Sequence, residues 1–325
     1  MIAWWKPEKV ASFAWIGLFL PGFLCYLHFL LQYLNQYPEV SGSTIKRLLP
    51  EKMDDIIPRG ATVEVVADGF GFTEGTQWVH DKEADRQYLL FSDVPNNRIW
   101  KWEEGDGLFT LGKSLFLDRS GCRGDHCSVL TMPGSNGLML MPGSGEVVMC
   151  EHGDRRVTRM ENNGTKTPLA THFNGHRLNS PNDLAFSKRG DVYFTDPPYG
   201  LPLRHEDPSF AAHGFGGVYR VRREAIEAAR AGAASAAEPE LVEKEFTWPN
   251  GLAFSQDFSK LYLAVSSPDH PAWYVYDVGE DGELANRRLF LDAQPMKEAY
   301  GVGAPDGMKV DDRGNVFATA PGAWP

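Results

Sequence analysis

Five short segments of this chain set a carboxylate or carboxamide, followed by Gly or Asp, just ahead of an apolar alternation. They are Glu74-Gly75, Asn136-Gly137, Asn182-Asp183, Asn250-Gly251 and Asp306-Gly307. Glu74, Asn182, Asn250 and Asp306 offer oxygen alone, without sulfur or imidazole. Brought to one place, two carboxylates and two amide carbonyls make a hard-cation site, suited to Ca²⁺, Mg²⁺ or Mn²⁺ rather than structural zinc. Asn-Gly and Asp-Gly are also ordinary turn chemistry at the mouth of a strand. One instance reads as a turn; four in phase read as a metal site.

Residues this far apart in sequence converge only if a repeat positions them. The markers recur at intervals of roughly 46–68 residues. Each is followed by a turn and a second strand, expected at 88–91, 146–150, 191–195, 260–265 and 315–319. Third strands are expected at 98–102, 157–160, 217–221 and 273–277. Units of this kind predict an all-β chain, a β-propeller of six-bladed type, in which the first strand of every blade begins near one central channel. A β-sandwich would not repeat a polar residue at each strand start. The Ala-rich, charged stretch 222–238 reads as a helical insertion. Six units at this spacing need roughly 350 residues, so residues 60–325 read as about four and a half blades. The expectation is a C-terminally incomplete ring with open strand edges, whose activity would suffer.

Composition sets the outer limits. With 42% hydrophobic and 23% charged residues the chain has the profile of a folded protein rather than a disordered one. A net charge of −11 argues against a nucleic-acid partner. The N-terminal part differs: residues 1–9 form a tail, 10–34 an uncharged apolar run, and 35–59 a Pro-containing linker. The run is long enough for a bilayer and predicts an N-terminal transmembrane helix, hence a single-pass membrane protein. The sequon Asn163-Gly164-Thr165 adds an expectation of the secretory pathway, with the propeller lumenal or outside. Cys122 and Cys127 are close enough to pair in an oxidising lumen. Zinc at that pair would need two further ligands, and none stands at a familiar spacing.

Residues 60–325 resemble the gluconolactonase, senescence-marker-protein and regucalcin-like superfamily, and most closely its microbial-type gluconolactonases. The motifs carrying the resemblance are Gly71-Phe72-Thr73-Glu74-Gly75, the run Phe91 to Ile99, and the run Cys150 to Val157. Arg177-Leu178-Asn179-Ser180-Pro181-Asn182-Asp183-Leu184, continuing to Tyr193 through Gly200, is the most specific. Trp248-Pro249-Asn250-Gly251 and Pro305-Asp306-Gly307-Met308 complete the set. The resemblance implies a metal-dependent lactonase that takes a small lactone. It implies Glu74, Asn250 and Asp306 as ligands, Asn182 as a fourth ligand or substrate contact, and Asp306 also as general base. The implied cation is Ca²⁺, with Mg²⁺, Mn²⁺ or Zn²⁺ as alternatives. His152 and Arg155 are candidate substrate contacts. Two departures touch the sugar contacts: Thr76 stands where the family often has Pro, and Ser180 where some members have Arg.

Two other functions fit the same residues: a metal-dependent esterase or organophosphate hydrolase, and a calcium-binding propeller without turnover. No Gly-x-Ser-x-Gly elbow supports a serine hydrolase, and no His-Glu-x-x-His supports a zinc peptidase.

Overall fold

The computed structural model describes residues 3–6, 9–12, 53–82, 84–104, 112–230, 236–301 and 303–320. Two compact units divide the chain: residues 1–72 with 324–325, and Thr73–Ala323. In the first, β1 (Ala3–Lys6) and β2 (Lys9–Ser12) pair antiparallel, Trp5 opposite Val10.

This hairpin bears on the expected membrane anchor. Among the described residues no helix is long and apolar enough to cross a membrane, and Val10–Ser12, the start of the expected span, is strand. The rest of that span, 13–34, and the linker to residue 52 lie outside the described residues. The single-pass placement, the membrane partner and the lumenal setting are therefore corrected. A hydropathy window counts apolar side chains and is blind to backbone, so it does not tell the strand at Val10–Ser12 from the start of a helix. The sequon lends no support either. Asn163 Oδ1 accepts from Thr165 N at 3.0 Å and Thr165 Oγ1 at 2.7 Å, so the tripeptide is turn chemistry.

The second unit is all-β, as expected, and its sheets follow one another along the chain as antiparallel meanders. The first holds β3 (Thr73–Asp81), β4 (Arg86–Asp93), β5 (Arg98–Glu103) and β6 (Gly112–Asp118). The second holds β7 (Ser135–Leu140), β8 (Val147–Glu151), β9 (Arg156–Met160) and β10 (Lys166–Ala170). A short pair, β11 (His172–Phe173) and β12 (His176–Arg177), leads to the third. That sheet holds β13 (Leu184–Phe186), β14 (Val192–Asp196), β15 (Gly216–Val221) and β16 (Glu240–Phe246). The fourth holds β17 (Pro249–Phe254), β18 (Lys260–Val265), β19 (Ala272–Val278) and β20 (Leu284–Asp292). A two-stranded fifth sheet, β21 (Met308–Val310) and β22 (Val316–Ala318), comes last. The expected insertion contains helix α1 (Arg223–Arg230), which buries Ile226 and Ala229; 231–235 lie outside the described residues. Helix α2 (Gln294–Tyr300) follows β20.

Apolar cores lie between successive sheets rather than at one centre. Leu90 and Ile99 meet Leu138 and Met149; Val148 and Val157 meet Leu184 and Phe194. Tyr193 and Val218 meet Leu252 and Leu263, and Ala264 and Trp273 meet Met308. Strands covered on both faces are therefore buried throughout, as in β8, β14 and β15. The outermost β20 is exposed at all but its first residue.

One polar hub is buried within the second sheet. Glu151 Oε1 receives Thr158 Oγ1 at 2.7 Å and Lys166 Nζ at 2.8 Å, and Oε2 receives Arg156 Nε at 2.6 Å. Glu151 and Lys166 side chains are wholly inaccessible, and burial lowers the Lys166 pKa. Glu151→Gln leaves that ammonium without its counter-charge and is expected to cost about 3 kcal/mol in urea unfolding at pH 7. A loss below about 1 kcal/mol, the range of surface pairs, would contradict the buried-pair reading.

Candidate metal and substrate site

The five markers occupy one structural position. In β3 the register slips between Glu74 and Gln77, in β7 between Ser135 and Leu138, and in β17 between Pro249 and Leu252. In β7 and β17 the bulge holds the marker and its glycine, whereas in β3 Glu74 still pairs with Ser92 and the bulge holds Gly75 and Thr76; such bulges re-aim side chains at a strand end. Asn182 and Asp306 stand just before β13 and β21 but bond the facing strand equivalently: Asn182 N donates to Thr195 O at 2.8 Å, and Asp306 N to Thr319 O at 3.3 Å.

The glycines carry the sheet-to-sheet contact. A Cβ on Gly137 would lie 2.7 Å from Asn182 O and Asp183 Oδ1, and Gly137 N donates to Asn182 O at 2.7 Å. Cβ atoms on Gly75 and Gly251 would fall well inside contact with Asn136 O and Asp306 O. Gly75, Gly137 and Gly251 thus each meet the next sheet's marker, which sets those markers side by side.

Charge gathers where they meet. Burial first, then the carboxylates of Asp306 and Asp183, hold the Glu74 carboxyl well above the usual carboxylate range. Burial and Asp183 also raise Asp306, while the Asn250 side chain and the Gly307 N–H pull it back. Asp183, raised chiefly by burial, directs Oδ1 to Leu184 N at 2.8 Å. Like charges held together out of water are costly, and a cation among them removes that cost.

Asn250 Nδ2 donates to Ser266 Oγ at 2.9 Å and lies against Asp306; Ser266 Oγ in turn donates to Pro305 O. The donor side of this amide is committed to protein, which leaves its carbonyl oxygen as the atom available to a cation. The Tyr199 hydroxyl, near Asn250, Ser266 and Asp306, is buried without a well-formed hydrogen bond. Burial raises its pKa. The Tyr199 ring stacks on Trp248 at 5.4 Å, and His205 meets Trp248 edge-on at 5.1 Å.

The structure thus brings Glu74, Asn250 and Asp306 together and sets Asn182 at the same strand-start position. His152, 1% exposed, follows β8 and backs onto Gly200 and Ser180, two residues from Asn182. Neither ring nitrogen makes a well-formed hydrogen bond, and burial pushes its pKa down to about 4. Arg155 is committed elsewhere: Nε donates to Leu178 O at 2.6 Å and Nη2 to Arg177 O at 3.4 Å. It braces the loop that carries Asn182.

Asp183, Tyr199 and Ser266 escaped the sequence reading. Asp183 has a signal, because it stands where the other units have Gly. Tyr199 and Ser266 lie outside the repeated core. A separate cleft of about 320 Å³ at the other ends of β13, β17 and β21 is lined largely by apolar residues such as Phe186, Phe254 and Met308.

The sequence profile described as "SMP-30/Gluconolactonase/LRE-like region" matches residues 72–324. A gluconolactonase of Zymomonas mobilis is 33% identical over 292 residues, covering 87% of this chain and 74% of that protein. Among solved structures, a gluconolactonase from Xanthomonas campestris aligns with a TM-score of 0.58 at 28% identity, over 78% of this chain and 72% of its own. A luciferin-regenerating enzyme shares the fold, with a TM-score of 0.53 at 17% identity, over 77% of this chain and 69% of its own.

Proposed function

This chain belongs to the SMP-30/gluconolactonase/LRE-like family, and from that membership we propose that it hydrolyses a sugar lactone to the open hydroxy acid at a divalent-cation site. In this reading the sheets are blades of a six-bladed-type propeller, and Glu74, Asn182, Asn250 and Asp306 hold the cation. The observation that carries it is the convergence of the half-buried Glu74 and Asp306 with the buried Asp183 beside them: Asp306 and Asp183 raise the Glu74 pKa, and Asp183 raises that of Asp306. The donor set fits a hard cation, since every candidate atom is oxygen and the Asn250 amide presents its carbonyl end. When bound, such an ion supplies a Lewis acid that polarises the lactone carbonyl and stabilises charge on its oxygen.

The remaining work falls to side chains. Asp306 accepts the proton of the attacking water; an Asp with an ordinary pKa near 3.9 is a weak base, so its part depends on the water being held directly against the carboxylate. The Tyr199 hydroxyl donates a hydrogen bond to a substrate oxygen, and the Tyr199–Trp248 stack supplies a flat apolar wall. His152, neutral at pH 7 with a pKa of about 4, offers one donor and one acceptor to sugar hydroxyls. Arg155 acts through the loop bearing Asn182 rather than on substrate.

The test is base uptake by the full chain on gluconolactone and related sugar lactones, before and after chelation. Chelation and Glu74→Gln are each expected to lower turnover about 10²–10³-fold, with Ca²⁺ restoring the chelated wild type and Mg²⁺, Mn²⁺ and Zn²⁺ compared beside it. Turnover indifferent to both treatments would overturn the proposal. Calcium binding without turnover on any lactone or ester would favour the non-catalytic reading instead.

A further inference from the structure

The connection from β6 to β7 holds a second set of metal-binding atoms, distinct in chemistry from the oxygen site. Cys122 and Cys127 form a disulfide, with Cα atoms 5.8 Å apart, across a 3-10 turn at Asp125–Val129. His126 on that turn brings Nε2 to 3.3 Å from Cys122 Sγ, and Asp154 Oδ1 lies 3.6 Å from the same nitrogen. The two sulfurs and a His126 ring nitrogen all lie within 4.8 Å of one another.

The loop is built to hold them. Asn97 Oδ1 accepts from Gly121 N at 2.8 Å and Cys122 N at 3.2 Å, while Asn97 Nδ2 donates to Cys122 O at 2.9 Å. Asp154 N donates to Gly121 O at 2.7 Å. Asp154 is fixed in turn by Arg123 N at 3.1 Å and Arg156 Nη2 at 3.0 Å. Cys122 is fully buried, whereas Cys127 is partly exposed on the turn. One end of the pair is anchored and the other is reachable.

We propose that the reduced form of this loop is a zinc site, ligated by Cys122 Sγ, Cys127 Sγ and His126 Nε2 with the Asp154 carboxylate completing the shell, and that the disulfide is its metal-free oxidised state. Two thiolates, an imidazole and a carboxylate match the preference of zinc and are too soft for calcium. With Zn–S near 2.3 Å and Zn–N near 2.0 Å, tetrahedral ligands stand about 3.3–3.8 Å apart, which the Cys122–His126 separation already meets.

The chemistry balances with a dithiol as reductant. Its thiolate attacks the Cys127 sulfur, the S–S bond breaks, and Cys122 leaves as thiolate. The second thiol of the reductant then displaces Cys127 and closes the reductant's own disulfide, so that two electrons pass to the protein. Zinc replaces the two thiol protons, which go to solvent. The redox poise of the surroundings therefore selects between cross-link and metal centre.

The experiment uses the full chain, reduced with dithiothreitol, desalted without oxygen, and titrated with Co²⁺ in excess Ca²⁺ so that the oxygen site is filled. The reduced protein is expected to take up one Co²⁺ with an intense near-ultraviolet thiolate-to-cobalt band, displaced by one equivalent of Zn²⁺, while the oxidised protein shows none. Cys127→Ser removes the band. His126→Ala, at an exposed side chain, is expected to weaken Co²⁺ binding at least about 10–100-fold, the range already typical of losing an outer-shell partner. The proposal is overturned if reduced protein shows no band, if the band survives both variants unchanged, or if near-ultraviolet circular dichroism shows that reduction unfolds the chain.

Discussion

Asp306→Asn is expected to reduce lactone turnover about 10²–10⁴-fold while leaving the cation-free protein at least as stable as wild type at pH 8. The activity loss follows from removing the proposed base and a ligand together. The stability result follows from charge. Burial, Asp306 and Asp183 raise the Glu74 carboxyl, and burial and Asp183 raise Asp306. A carboxyl whose folded pKa lies above its unfolded value contributes stability that is full below the unfolded pKa, about 4, and lost as pH rises through the folded value. Cation-free wild type should therefore lose stability upward from pH 4, and Asp306→Asn should lose less. Asp196, raised to about 7 mainly by burial, acts in the same direction, while His152, lowered to about 4, acts oppositely by losing stability as pH falls. Both are common to the two proteins and drop out of the difference. Calcium should flatten the wild-type slope and leave the variant nearly unchanged. Urea unfolding from pH 4 to pH 8 reads this directly, and a variant less stable than wild type at pH 8 without cation would contradict the charge argument.

How far the sequence revealed this site depended on whether a residue repeats. Glu74, Asn250 and Asp306 were legible because each begins a strand with the same neighbours. The second strands were legible for a related reason: covered on both faces, they read as short apolar runs, and the expected 260–265 coincides with β18. The fourth strands of the sheets gave no signal. β6 and β20 lie at the outer edge and are largely exposed, so their side chains show no period of two. Tyr199 and Ser266 reach Asn250 only through the fold. The N-terminal apolar run shows the converse, a strong pattern whose first described residues are strand. His126 was missed because paired zinc motifs are sought at set spacings, whereas here a turn folds the histidine back onto Cys122 and Asp154 arrives from another loop.

Turn chemistry alone would leave the glycine of each marker no part in the contact between sheets, and Gly75→Val tests the difference. Gly75 combines φ +58 with a neighbour so close that a Cβ would run into Asn136 O. A β-branched residue there faces left-handed backbone strain, about 1–3 kcal/mol, and overpacking against a carbonyl that cannot yield without moving the second sheet, about 1–3 kcal/mol more. The expected cost of about 2–6 kcal/mol is a large share of the 5–15 kcal/mol that holds a typical domain folded. Two companions separate the causes. Gly143→Ala sits at φ +88 with nothing within 4 Å of its Cβ, so it bears the backbone strain alone, about 1–2 kcal/mol. Gly137→Ala has no positive φ but would press on Asn182 O and Asp183 Oδ1 at 2.7 Å, so it bears the crowding alone. If the glycines served only as turn residues, Gly75→Val and Gly143→Ala would cost alike and Gly137→Ala would be near neutral. If they serve as contact points between sheets, Gly137→Ala should be the more damaging alanine and should weaken cation binding as well, because it displaces Asn182 and Asp183 together. Unfolding curves for the three variants, with calcium titrations on those that fold, decide between a turn motif and a device that sets one sheet's ligand against the next.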